Sequence, residues 1–295
     1  MGLPTFTFSL ALVGPVLGYL VTALAVWGRQ TRLIFKPQRA LHATPADFPF
    51  IVLDVAVPVK SARQADQTLR AWWIPSANRN AKVILYLHGN DVNVSTSMRE
   101  VEPLRELGYS VFIIDYRGYG ASDGAFPSEA SVYQDAQAVW AHLVMTGIDP
   151  SDLYIYGHSL GGAVAIDLAV RHPEAGGLIV ESSFTSIYDM VMLSKLYALL
   201  PVKFFLQHRF ESLGKVARLR VPALYIHGTA DEIVPFEMGR RLFDATAGFK
   251  RFAAINGGRH DDNAVVGGRA FRSAISAFVE DTSAFRATSN AGLSL

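Results

Sequence analysis

Short apolar runs, separated by polar and glycine-containing stretches, punctuate the chain from residue 51 onward. Ile51–Val57 and Leu69–Trp73 come first and read as an antiparallel start. Lys82–Leu87, Ser110–Ile114, Leu153–Tyr156, Leu178–Glu181, Ala223–His227 and Arg251–Ile255 follow. Runs this short, bounded by turn residues, suit buried strands. The stretches between the later runs have helical spacing. Strands alternating with helices predict a mostly parallel sheet joined by crossovers, so residues 50–281 read as one α/β domain with eight strands.

Two segments break this rhythm. From Thr5 to Trp27 the chain is almost wholly apolar and carries no charge, and about 20 such residues suffice to span a bilayer. Arg29, Arg32, Lys36 and Arg39 follow closely. The pattern predicts a transmembrane anchor over residues 1–28 and a linker over 29–49. A secretory signal cleaved near Ala23-Leu24-Ala25 is the alternative, although no Lys or Arg precedes the apolar run. The basic residues after the anchor place the domain on the cytoplasmic side of the membrane. The second break is an insertion over about residues 187–219, rich in Met190, Met192, Leu193, Leu196, Tyr197, Leu199, Leu200, Phe204, Phe205 and Leu206. It leaves the sheet after one strand and returns before the next, as a lid does. A helix packed on the domain and a surface lying on the membrane are the other readings. The polar stretch 282–295 reads as a flexible tail.

Composition narrows the picture. A chain of 295 residues that is half hydrophobic can bury one large core. A net charge of +1 offers no case for nucleic-acid binding. With no cysteine, there is no disulfide framework, thiol nucleophile or thiolate metal site.

The chemistry centres on Gly157-His158-Ser159-Leu160-Gly161, set between a strand and a small-residue helix. Strand, G-x-S-x-G, helix is the setting of a nucleophile elbow. The glycines permit a sharp turn, and the helix N-terminus stabilises negative charge beside the serine. A serine hydroxyl needs a base. Of the histidines after Ser159, His172 reads as a helix C-terminal residue, His208 as a solvated one and His227 as a strand end. His260, on the polar loop after the last strand, is the candidate base. Asp231 is the candidate acid that orients it, with Glu232 as its neighbouring rival. The chain order Ser159, Asp231, His260 differs from two unrelated serine-protease orders. The oxyanion hole falls to the backbone N–H groups of Leu160 and of Asn90, in the loop after Lys82–Leu87. Asp261 and Asp262 lie beside His260, but no second histidine or carboxylate stands at ligand spacing, so no metal is expected. Asp115-Tyr116-Arg117-Gly118-Tyr119-Gly120 has the wrong order for a dinucleotide site and reads as a structural turn tied by Arg117. Trp72 and Trp73 read as sheet packing.

These motifs carry a family resemblance. Leu87-His88-Gly89-Asn90, Asp115-Tyr116-Arg117-Gly118-Tyr119-Gly120, Pro127-Ser128-Glu129, the elbow, Glu181-Ser182-Ser183-Phe184-Thr185-Ser186, His227-Gly228-Thr229, Asp231-Glu232 and His260 occur in order between about Ile34 and Phe278. With them the chain resembles the α/β-hydrolase superfamily, and within it the Bem46-like group of membrane-anchored serine hydrolases. One departure is Asp91, where the group more often has a small residue. The resemblance implies the α/β-hydrolase fold and Ser159, Asp231 and His260 as nucleophile, acid and base, the trio that the residues themselves point to. The expectation is therefore a membrane-tethered serine hydrolase that cleaves a carboxylic ester or thioester of an apolar acyl substrate and needs no cofactor. An acyl-protein thioesterase, a serine peptidase and a non-catalytic membrane-bound scaffold are the alternatives.

Overall fold

Each of the eight apolar runs forms a strand: β1 (Leu53–Val59), β2 (Gln67–Ile74), β3 (Val83–Leu87), β4 (Ser110–Ile114), β5 (Leu153–His158), β6 (Gly177–Glu181), β7 (Ala223–Gly228) and β8 (Lys250–Ile255). The computed structural model describes residues 7–60, 66–195 and 201–291. The strands join in one sheet in the order β1-β2-β4-β3-β5-β6-β7-β8. β2 pairs antiparallel with β1 and β4, and every later neighbour is parallel. β3 is buried along its whole length because helices cover both faces of the sheet. Its side chains alternate between the two cores: Val83, Leu85 and Leu87 on one face, Ile84 and Tyr86 on the other.

On the first face pack α3 (Glu129–Met145), α4 (Leu160–Arg171), α7 (Ser212–Val216) and α8 (Phe236–Ala245), through residues such as Val139, Val164, Val216 and Leu242. On the second lie α2 (Met98–Glu106) and α9 (Asn263–Ala291), through Val101, Leu104, Phe271 and Phe278. Trp72 is buried in the second core, and Trp73 packs its ring 6.0 Å from that of Phe112. Arg117 is buried and ties its turn to α3, with Nε 2.5 Å from Asp135 Oδ1. The carboxyl ends of the parallel strands gather Asn90, Ser159, Asp231 and His260 at one edge, where α/β sheets present their ligand sites.

The N-terminal segment departs from expectation. The transmembrane helix expected over residues 1–28 starts outside the described residues, and among the described residues no helix is long and apolar enough to cross a membrane. α1 (Thr7–Ile34) instead continues past Trp27 through Arg29, Gln30 and Arg32, taking in the start of the expected linker. Its last turns pack on the domain. Gln30 is buried there, and the neighbouring Phe35 ring lies 5.6 Å from His208 and 5.9 Å from Phe210. The insertion carries α5 (Ile187–Met192), α6 (Val202–Phe205) and α7. Leu196, Tyr197, Leu199 and Leu200 lie outside the described residues. The stretch from Thr282, expected to be a flexible tail, continues α9 as far as Ala291. Thr282 is buried, with its hydroxyl 2.6 Å from Tyr154 OH, which anchors the helix there.

Candidate active site

Ser159 stands at the junction of β5 and α4 with φ 53° and ψ −117°. A non-glycine residue held there stores about 1–3 kcal/mol of strain, which the surrounding packing must offset. The flanking glycines explain how the turn closes. A Cβ on Gly161 would lie 1.9 Å from the carbonyl oxygen of Leu87, and one on Gly157 would lie 2.2 Å from that of Gly161. The Ser159 N–H donates to Glu181 O at 2.9 Å, and Ser183 Oγ donates to Ser159 O at 2.8 Å.

Three side chains named from the sequence meet in a line. His260 Nε2 lies 2.9 Å from Ser159 Oγ, and His260 Nδ1 lies 2.9 Å from Asp231 Oδ2. The Asp231 carboxylate is fully enclosed, and its Oδ1 accepts from the backbone N–H groups of Ile233 (2.9 Å) and Val234 (2.8 Å). Burial pushes its pKa up, but hydrogen bonds from His227, His260 and Val234 outweigh that and hold the carboxyl well below the usual carboxylate range. It therefore stays charged across the neutral range. Glu232 points to solvent and takes no part in this line.

Asn90 and Leu160 both border the cavity that reaches Ser159. Leu160 opens α4, and the first N–H groups of a helix have no acceptor within it. The Asn90 side chain is fixed on three sides. Its Oδ1 accepts from Tyr119 OH (2.8 Å) and Lys36 N (2.9 Å), and its Nδ2 donates to Ile34 O (2.6 Å). Asp91 has φ 58°, a left-handed conformation that aspartate tolerates better than most residues.

A cavity of about 440 Å³ opens over the serine. α1 supplies Ala23, Val26, Trp27 and Leu33 to its wall, and the insertion supplies Met190, Val191, Val202, Phe205 and Leu206. The insertion and α1 thus form facing walls of the cavity over Ser159.

The structure also gives work to residues that the sequence left bland. His158 Nε2 donates to the His260 backbone carbonyl at 3.0 Å, and the two rings lie 5.0 Å apart. His227 Nε2 lies 2.9 Å from Val234 O and 3.3 Å from Asp231 Oδ2, so it braces Asp231. Its spacing of four residues from Asp231 was the available signal. His208, on the insertion and expected to be solvated, is half-buried against α1 and the start of α3, with Nε2 2.9 Å from Thr31 Oγ1 and Nδ1 accepting from Glu129 N at 3.4 Å, and burial lowers its pKa. His172 stacks on Trp140 at the end of α4, far from the chemistry. Buried Glu181 joins the elbow to the base loop. It accepts from Tyr156 OH at 2.6 Å and from Asn263 Nδ2 at 3.0 Å. His158, His260 and Asp261 also form the one group among the described residues close enough to share a metal ion. His260 already uses both ring nitrogens toward Ser159 and Asp231.

Fold and site together define an α/β hydrolase. A family model described as serine aminopeptidase, S33, matches residues 78–214. The chain is 31% identical to alpha/beta hydrolase domain-containing protein WAV2 of Arabidopsis thaliana, over 82% of this chain and 84% of that one. It is 36% identical to the lysophosphatidylserine lipase ABHD12 of Danio rerio, over 68% of this chain and 56% of that one. The esterase Pf2001 of Pyrococcus furiosus shares the fold, with a TM-score of 0.67 at 21% identity over 84% of this chain and 97% of that one. The chain belongs to the α/β-hydrolase superfamily, and these relatives are consistent with the Bem46-like group.

Proposed function

We propose that this chain is a membrane-tethered serine hydrolase that cleaves a carboxylic ester or thioester of an apolar acyl substrate through an acyl-enzyme. The observation that carries the reading is the line Ser159–His260–Asp231, with both contacts at 2.9 Å, at the foot of an apolar cavity. His260 Nε2 takes the Ser159 proton as Oγ attacks the acyl carbonyl. The N–H groups of Asn90 and Leu160 receive the oxyanion, each such donor being worth about 3 kcal/mol of barrier. His260 then protonates the leaving alcohol or thiol. In the second half a water gives its proton to His260, its oxygen attacks the acyl-enzyme, and Ser159 recovers the proton as the acid departs. Asp231 keeps Nδ1 protonated and balances the imidazolium charge. No step calls for a metal or an organic cofactor.

The apolar lining favours an acyl chain over a peptide. The lysophosphatidylserine lipase among the relatives adds weight to a lipid ester as substrate. Tethering is supported by the outer face of α1, where Leu17, Val21 and Leu24 are exposed, and by exposed Phe204 on the insertion. The family description as an aminopeptidase favours a second reading, peptide hydrolysis by the same trio. The test is turnover of matched acyl esters, acyl thioesters and aminoacyl peptides by the full chain, with Ser159→Ala as control. Esters or thioesters cleaved well above peptides support the proposal, and peptides cleaved fastest replace it with the second reading. Full release of the intact protein by an alkaline carbonate wash removes the tether.

A further inference from the structure

The foot of α1 is tied into the site at two levels. Gln30 is only 7% exposed and sits in the wall of a mostly apolar cavity. Its Nε2 donates to Trp27 O (3.0 Å) on its own helix and to Phe205 O (3.2 Å) on the insertion. Its Oε1 accepts from Gln207 N at 2.8 Å. One turn further on, the Asn90 side chain grips Ile34 O and Lys36 N. One stretch of helix therefore holds both the lid and the residue assigned to the oxyanion.

A buried amide is costly unless its donors and acceptors are paired, and an apolar wall has no need of one. Gln30 is paired across the gap between two elements whose contact is otherwise apolar apart from Thr31 Oγ1 and His208 Nε2, 2.9 Å apart. Greasy contact alone allows sliding, whereas the two directional bonds to Phe205 O and from Gln207 N set one register. On this same stretch, Ala23, Val26, Trp27 and Leu33 border the cavity. At about 1.5 Å per residue, the wall from Ala23 to Ile34 is about 16 Å long. It ends beside the exposed apolar face of α1 at Leu24 and Val21.

We propose that the last turns of α1 are the specificity-determining wall of the acyl pocket, latched to the insertion by Gln30. The acyl chain of the bound substrate runs from Ser159 along α1 toward the exposed apolar face of that helix. The ligand class is a medium-to-long unbranched acyl chain, and Gln30 is a positioning residue that holds the lid in register over it. This deepens the proposed function and rests on Ser159 as nucleophile.

The test uses the full chain in lipid nanodiscs and compares labelling of Ser159 by a dodecyl and an ethyl fluorophosphonate. The wild type reacts faster with the dodecyl probe. In Ala23→Trp, whose indole fills the wall, the dodecyl-to-ethyl rate ratio falls about ten-fold, equivalent to excluding about two methylenes. In Gln30→Ala the ratio falls in the same direction, which a general loss of stability does not produce. A ratio unchanged in both variants, or no preference in the wild type, overturns the proposal. A second readout needs no catalysis: brominated dodecanoate quenches the fluorescence of Trp27 in the wild type, and Trp27→Phe removes that quenching. Quenching indifferent to Trp27 also overturns the proposal. If neither phosphonate labels the wild type, the serine-hydrolase reading fails, and the quenching still decides whether the wall takes an acyl chain.

Discussion

His158, the residue before Ser159, donates its Nε2–H to the backbone carbonyl of His260 at 3.0 Å. The turn at Ser159 therefore holds the loop that carries His260. A buried carbonyl that loses its donor costs about 1–3 kcal/mol. His158→Ala is expected to lower kcat/KM for a short ester about ten-fold or more, with little change in KM, because the loop loses register over Ser159. Steady-state kinetics check this, and unchanged kcat/KM contradicts it.

Asp231 and Glu232 are neighbours in sequence with opposite surroundings. Asp231 is enclosed and bonded to His260, and Glu232 faces solvent. Asp231→Asn leaves the shape intact but favours the wrong imidazole tautomer, so kcat is expected to fall by up to about 10⁴-fold. Glu232→Gln is expected to stay within about two-fold, as exposed substitutions do. Comparable losses in the two variants contradict the assignment of the acid.

Gly161 meets rigid backbone rather than a movable side chain. Its added Cβ would stand 1.9 Å from Leu87 O, in the strand that leads to Asn90. Overpacking typically costs about 1–3 kcal/mol, and a backbone clash falls at the upper end. Gly161→Ala is expected to lower Tm by about 6–12 °C, since each kcal/mol shifts a domain of this size by about 2–4 °C. Thermal denaturation checks it. An unchanged Tm means that the elbow closes less tightly than the geometry requires.

His88 and Asp115 form a buried pair, with Nε2 3.6 Å from Oδ1. Burial pushes Asp115 up to about 7, opposed in part by the backbone N–H groups of Val94 and Ala121. Burial lowers His88 to about 4. The unfolded chain releases the Asp115 proton near 3.8, so the folded state holds an extra proton from about pH 4 to 7, and stability falls as pH rises through that window. The unfolded chain protonates His88 near 6.5, so its contribution is lost as pH falls from about 6.5 to 4. The two slopes oppose each other in the wild type. Relative to wild type, Asp115→Asn is expected to gain stability as pH rises from about 4 to 7, and His88→Gln to lose it. Tm curves against pH that run parallel in all three proteins contradict the pair.

The central strands were legible because a parallel strand covered on both faces must be a continuous apolar run, as Val83–Leu87 is, whereas the edge strands β1 and β8 are partly exposed. Ser159, Asp231 and His260 were legible because each follows such a run at its carboxyl end, where the topology gathers them. His158 and His227 were not, since their partners, His260 O and Val234 O, become neighbours only through loop geometry. The end of α1 was hidden for a different reason. An apolar stretch read by hydropathy looks alike whether it meets lipid or a domain, and the contacts of Gln30, Thr31 and Ile34 show that its last turns meet the domain. His208 lost its expected exposure to the same packing.

The most direct measurement is covalent labelling by a fluorophosphonate that reacts only with an activated serine. The folded wild-type chain is expected to be labelled at Ser159, with Ser159→Ala unlabelled and Asp231→Asn labelled far more slowly. No labelling of the folded wild type, or undiminished labelling of Ser159→Ala, contradicts the assignment of Ser159 as the nucleophile.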